Sequence, residues 1–190
     1  MNHRIKVFMV VFLFFLSIYA AIAFYATTPK PSQPFIGFGL YSQQMTLSGY
    51  TGPGSTVNVN QTYHWRLNIT NEMGSTQFVQ LISKLGSNQT GGPNSTSPAP
   101  PALQVLTNST LFVPNKNSSL QSFDWKITAV ATSGGNESLT MNINGRSLNS
   151  TLRNPIGYPF RLFFELWTFN NSQGKFQYYT WLQVGFSVNN

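Results

Sequence analysis

Four carboxylates (Glu72, Asp124, Glu137 and Glu165) and two histidines (His3 and His64) are all the carboxylate and imidazole chemistry this chain offers, and it has no cysteine. Glycoside hydrolysis needs two carboxylates flanking one bond. These four are scattered, with Asp124 on the outward phase of an alternating run and Glu72 and Glu137 expected in turns. A metal site needs clustered His, Cys or carboxylates. His64 stands alone beyond the N-terminal segment, and Met45, Met73 and Met141 have no second soft ligand beside them. Nucleophilic catalysis needs a base next to the hydroxyl, and the many Ser and Thr share one candidate base. Thr51-Gly-Pro-Gly-Ser reads as a turn rather than a phosphate loop opening a helix. The sequence therefore predicts no catalytic residue, no cofactor and no metal.

One kind of chemistry is abundant. Nine Asn-X-Ser/Thr acceptor tripeptides begin at Asn60, Asn68, Asn88, Asn94, Asn108, Asn117, Asn136, Asn149 and Asn170. A glycan acceptor must lie on a surface that a membrane-bound transferase reaches. Nine of them downstream of an export segment predict a glycosylated chain facing the outside of a cell.

Glu165 is the unusual carboxylate, because Phe164 and Leu166 flank it inside the most apolar stretch beyond the N-terminus. A buried carboxylate must be paired or protonated. The leading expectation is an Arg or Lys partner on a neighbouring strand. The alternatives are a Lys–Asn amide cross-link promoted by the acid, contact with a partner, or exposure at an edge. Trp65, Trp125, Trp167 and Trp181 all fall on strand patterns and are expected in the core rather than on a stacking surface for sugars or bases.

The elements that position these residues follow from periodicity. Tyr63, Trp65, Leu67 and Ile69 alternate with His64, Arg66, Asn68 and Thr70, which predicts one buried face and one wet face. Phe123, Trp125, Ile127 and Ala129 alternate in the same way with Asp124, Lys126, Thr128 and Val130. Residues 77–85 form another candidate strand. Leu139, Met141 and Ile143 run into Asn144-Gly145, a strong hairpin signal because both positions tolerate φ > 0. Phe160–Phe169 and Phe176–Val188 flank Asn170-Asn171-Ser172-Gln173-Gly174, which reads as a hairpin loop. The first of these is apolar nearly throughout, as for a central strand covered on both sides, with a short helix as the alternative. Residues 86–101, rich in Gly, Pro, Ser and Asn, are expected to be an exposed loop. Seven or so strands over residues 35–190 predict an all-β, immunoglobulin-like antiparallel β-sandwich.

Ahead of that domain, Val7–Tyr25 carries no charge and only Ser17 as a polar interruption. Nineteen helical residues span about 28 Å, close to a hydrocarbon core of roughly 30 Å. His3, Arg4 and Lys6 precede the segment, so the positive-inside rule places the N-terminus in the cytoplasm and the remainder outside. Residues 1–26 are read as a single transmembrane anchor and 27–34 as a Pro-rich linker. A cleaved signal is the rival, with Ala21-Ile22-Ala23 as the cleavage site. The apolar character persists through Phe24 and Tyr25, which favours the anchor.

Composition narrows the setting. Only 8% of residues are charged, against roughly 25% in soluble domains, while 41% are hydrophobic, enough for a core. The net charge is +7, but the cations never form a run of three, which argues against nucleic acid as partner. Scarcity of acids suits acidic surroundings, where carboxylates protonate and amides and glycans still solvate. Without disulfides the domain must hold together through its core alone, which about 160 residues achieve.

Four stretches carry a resemblance. They are Asn68-Ile-Thr-Asn-Glu-Met-Gly-Ser-Thr-Gln-Phe-Val-Gln-Leu, Lys84-Leu-Gly with its Pro/Ser/Thr-rich continuation, Phe160-Arg-Leu-Phe-Phe-Glu-Leu-Trp, and Tyr179-Thr-Trp-Leu-Gln-Val-Gly-Phe-Ser-Val. Over roughly residues 36–188 they resemble the largely archaeal "domain of unknown function sixteen-sixteen" family. That resemblance implies a membrane-anchored archaeal surface protein with an external β-domain, and it brings no catalytic residues with it. The expected function is a non-catalytic structural or interaction role, with the membrane, N-linked glycans and other membrane or surface proteins as partners. The alternatives are a filament subunit donating residues 27–41 as a strand, and an accessory subunit of a membrane-bound oxidoreductase.

Overall fold

The computed structural model describes residues 3–27, 33–51 and 55–189, and divides into two compact units, 1–33 and 34–190. Residues 28–32 of the expected linker, and 52–54 of the expected turn after Thr51, lie outside the described residues.

The first unit is helix α1, His3–Thr27. Among the described residues no helix is long and apolar enough to cross a membrane. Ten side chains of α1 (3–8, 10, 11, 25 and 26) fall outside the description, so the span expected over 7–25 rests on the sequence.

The second unit is all β, as expected, and its strands form two sheets, with eleven strands among the described residues rather than about seven. One sheet has the order β1 (Ile36–Tyr41), β3 (Tyr63–Asn71), β6 (Asn117–Ser133), β7 (Asn136–Ile143) and β8 (Arg146–Asn149), with the short β9 (Asn154–Pro155) also paired to β7. The other has the order β2 (Thr56–Asn58), β11 (Lys175–Asn189), β10 (Phe160–Asn170), β4 (Gln77–Ser87) and β5 (Val105–Val113). Every pairing is antiparallel except β2 with β11, so the first strands of the chain cross from one sheet to the other. All six residues of β1 are paired with β3, and this is the segment a filament subunit would have to donate.

The alternation read from the sequence places the core. Tyr63, Trp65, Leu67 and Ile69 point inward from β3, and Phe123, Trp125 and Ile127 from β6. All but Ile69 meet Phe160, Leu162 and Phe164 of β10 and Phe186 of β11 in one apolar cluster between the sheets, while Ile69 joins Ile36, Val79, Val113 and Leu166 in a second. Aromatic rings bridge the two layers, with Phe123 and Phe164 edge to face at 4.9 Å and Trp125 against Phe186 at 5.2 Å. Such pairs add to the burial of apolar area. The Trp65 Nε1 donates to the Tyr50 carbonyl at 2.7 Å, whereas the Trp125 Nε1 is buried without a protein partner.

The inward phase expected for Ala129 fails. A bulge in the pairing of β6 with β7, between Ile127 and Ala129, inserts one residue and flips the phase. Ala129 is therefore exposed, and Val130 packs against the core instead. Glu137 lies within β7 rather than in a turn, while Glu72 does lie in the turn after β3.

The turns follow local chemistry. Asn144 and Gly145 adopt φ of 50° and 84° and close the β7–β8 hairpin, as a two-residue turn with both positions at φ > 0 requires. Residues 170–174 connect β10 and β11, the hairpin read from the sequence, and β10 is a central strand with no helix.

Candidate functional site

The outer face of the five-stranded sheet holds the unusual residues. Because successive side chains of a strand point to opposite faces, Leu162, Phe164 and Leu166 enter the core while Phe163, Glu165, Trp167 and Phe169 face away from it. The registers set Glu165 opposite Ile82 of β4 and Trp181 of β11, and Trp167 opposite Gln80 and Tyr178.

Glu165 is completely buried on this outer side, because residues 86–101 do not hang free in solvent. They fold back across β10 and bury Pro93 and Ala99, although most of the segment keeps the exposure expected of it. The backbone of one residue, Ala99, holds the arrangement closed. The Ala99 N–H donates to Glu165 Oε1 at 2.7 Å, and the Lys84 Nζ donates both to Glu165 Oε1 and to the Ala99 carbonyl at 3.1 Å. The Trp167 Nε1 donates to Glu165 Oε2 at 3.2 Å. Every charge in the buried pair is thereby hydrogen-bonded, the condition under which such a pair is tolerated. The expected Lys partner for Glu165 is Lys84, from the adjacent strand. The Lys84 Nζ bonds to Glu165 and Ala99 and not to an asparagine, so the geometry for a Lys–Asn cross-link is missing.

Two further contacts seat the loop. The Tyr178 hydroxyl donates to the Asn94 carbonyl at 2.9 Å. Its pKa is pushed up to about 12, first by burial and then by the Glu165 carboxylate. A Cβ at Gly86 would sit 2.5 Å from the Phe163 ring and 2.7 Å from Thr90 Oγ1, so only glycine lets the loop leave β4 this close to the sheet.

At the opposite end of the same face four phenylalanines pack on one another, one from each of β5, β4, β10 and β11. Phe78 stacks on Phe112 at 4.5 Å and lies 5.1 Å from Phe176, and Phe169 meets Phe176 at 5.3 Å. Phe112, on the outermost strand, is still 68% exposed. Beside them Trp167 and Tyr178 meet edge to face at 5.6 Å. Trp65 and Trp125 are core residues as expected, but Trp167 and Trp181 are half-buried on this outer face. Periodicity could not place Trp167, because β10 is apolar on both phases, while Trp181 of β11 shares the outward phase with Gln183 and Gly185.

The other candidate groups stay apart. The His64 Nδ1 lies 3.0 Å from Asp124 Oδ1, and the Arg66 Nη1 lies 3.4 Å from the same oxygen. This half-exposed cluster is on the outward side of β3 and β6, as the alternation predicts. Among the described residues no three His, Cys, Asp or Glu come together as metal ligands. Of the acceptor asparagines, Asn60, Asn88, Asn94, Asn108, Asn117 and Asn149 are exposed, and Asn68, Asn136 and Asn170 are half-buried. Asn170 is the most engaged, donating to Gln177 and accepting from the amides of Ser172 and Gln173.

No family model matches the chain, and no curated protein matches it either. The resemblance read from the sequence thus stands on the quoted residues alone. The solved structures similar to it include the following three, all at low scores. The CARDB domain of a Pyrococcus furiosus protein, solved in complex with di-metal ions, has a TM-score of 0.42 at 10% identity, covering 85% of this chain and 97% of that one. The Pseudomonas fluorescens alkylpurine DNA glycosylase AlkC, bound to DNA with an abasic site analog, has a TM-score of 0.33 at 10% identity over 63% of this chain and 30% of the other. The Listeria innocua β-glucosidase in complex with gluconolactone has a TM-score of 0.31 at 9% identity over 84% and 17%. At these scores no ligand, metal or activity of those proteins passes to this chain.

Proposed function

We propose that this chain is a membrane-anchored, N-glycosylated surface protein, of archaeal type, whose external domain has a non-catalytic interaction role. The observation that carries the reading is the phenylalanine cluster on the outer sheet face. A soluble domain gains by burying such rings, at roughly 25 cal/mol for each Å² of apolar surface. Phe112, 68% exposed and stacked on Phe78 at the edge of this cluster, is therefore read as a contact surface for a membrane or surface protein. The scattered carboxylates, the single external histidine and the hydrogen-bonded Lys84–Glu165 pair support the absence of catalysis.

The immunoglobulin-like reading finds support in the strand order. Strand β1 pairs with β3, and β2 crosses to run parallel with the last strand, β11. The β7–β8 hairpin extends the first sheet beyond that pattern. The anchor reading is supported by a 25-residue helix with basic residues only at its start.

Gentle solubilisation of native membranes tests the role. The wild-type chain is expected to co-purify with a membrane protein, and Phe112→Ser to lose that partner while keeping its fold. Equal recovery of partners by both forms would sink the assignment of the contact surface. A mature chain starting at Phe24 or Thr27 would overturn the anchor and bring forward the filament reading.

A further inference from the structure

A second feature of the outer face lies at the end away from the phenylalanines. Arg161 of β10 is set directly opposite a glycine on each side, Gly86 of β4 and Gly185 of β11. No neighbouring side chain on either strand therefore covers it at its own level. It borders a cavity of about 360 Å³, together with the hydroxyls of Ser55 and Ser187 and the amides of Asn88 and Gln183.

The guanidinium is oriented but not neutralised. Its Nε donates to Asn88 Oδ1 at 2.5 Å. Among the described residues its two terminal amino groups have no hydrogen-bond partner, and the ion pairs there involve Asp124 and Glu165, not Arg161. A fork fixed at Nε and open at both Nη atoms is the arrangement that grips two oxygens of one oxyanion. A bare surface arginine would spend side-chain entropy to reach this state, whereas here Asn88 has already set it.

We propose that this cavity is an oxyanion-binding site. Arg161 would receive a carboxylate or phosphate group of a small ligand in two parallel hydrogen bonds, with the serine hydroxyls and Gln183 reading its remaining polar groups. Asn88 is the positioning residue. Its Oδ1 holds the guanidinium while its Nδ2 makes no bond among the described residues and remains available for a glycan at the rim.

The test is calorimetric titration of the full-length protein in neutral detergent with glucuronate, inorganic phosphate and glucose. Saturable binding of at least one anion, with a Kd of about 1 mM or tighter, and none of glucose is expected. Glucuronate alone would identify a carboxylated ligand, phosphate alone a phosphate ester, and both a general oxyanion receptor. Arg161→Gln should weaken binding at least about tenfold. Gly185→Glu should do the same while leaving Arg161 in place. A Cβ at Gly185 meets only the Phe160 carbonyl, at 3.9 Å, so the new carboxylate fits opposite the guanidinium and competes for it. If Arg161→Gln unfolds, Gly185→Glu decides. Absence of saturable binding by either anion, or unchanged binding in a folded variant, overturns the site.

Discussion

Replacing Lys84 by Met leaves the fully buried Glu165 carboxylate without its counter-charge, and keeps the length of the side chain so that little cavity opens. Removing one partner of a buried pair costs about 3–5 kcal/mol. The Ala99 and Trp167 N–H groups still donate to the carboxylate and soften that cost, which places the expectation at the lower end, about 3 kcal/mol. For a domain of this size each kcal/mol moves Tm by about 2–4 °C, so the midpoint should fall by about 6–12 °C. Glu165→Leu should cost more. It strands the Lys84 ammonium and also orphans the Ala99 and Trp167 donors, each worth about 1–3 kcal/mol when buried and unpaired. Urea unfolding of residues 34–190 measures the totals, and hydrogen exchange at the Ala99 amide reports the loop separately. That amide should lose protection in Glu165→Leu and retain it in Lys84→Met. A cost below about 1 kcal/mol for Lys84→Met, the range of an exposed pair, would refute the claim that the folded-back loop seals the pair from water.

Three further outcomes are expected. Trp125→Ala should destabilise by about 3–5 kcal/mol, whereas Ala129→Ser, beyond the bulge, should stay within about 0.5 kcal/mol, and comparable losses at the two positions would show the phase flip to be misplaced. Tyr178 should ionise near pH 12 by ultraviolet absorbance. Its raised folded-state pKa favours the neutral phenol, so this contribution to stability is complete below the ordinary value of 10 and is lost as pH rises through the window from 10 to about 12. Glycopeptide mapping should find sugar on most of the nine acceptor asparagines, and fewer than three occupied sites would remove glycans as the source of solubility.

Local chemistry decides much of this protein. Alternation over Tyr63–Ile69 and over Phe123–Ile127 sets the inward faces of two central strands, since a period of two admits only one phase when half the residues are polar. Asn144-Gly145 closes its hairpin because few other pairs tolerate two successive positive φ angles. The apolar surroundings of Glu165 were enough to demand a partner for it. They did not name Lys84, which lies 81 residues away along the chain, or Ala99, which lies 66 away. Where both phases are apolar, as along Phe160–Phe169, spacing cannot tell core from outer face, and so Trp167 joined the core on paper and the outer surface in space. The polar composition of residues 86–101 likewise predicts solvent exposure. Only the docking of Ala99 onto a buried ion pair turns that segment into a cover. The glycines that flank Arg161 gain their meaning the same way, because sheet register rather than sequence distance puts Gly86 and Gly185 on either side of it.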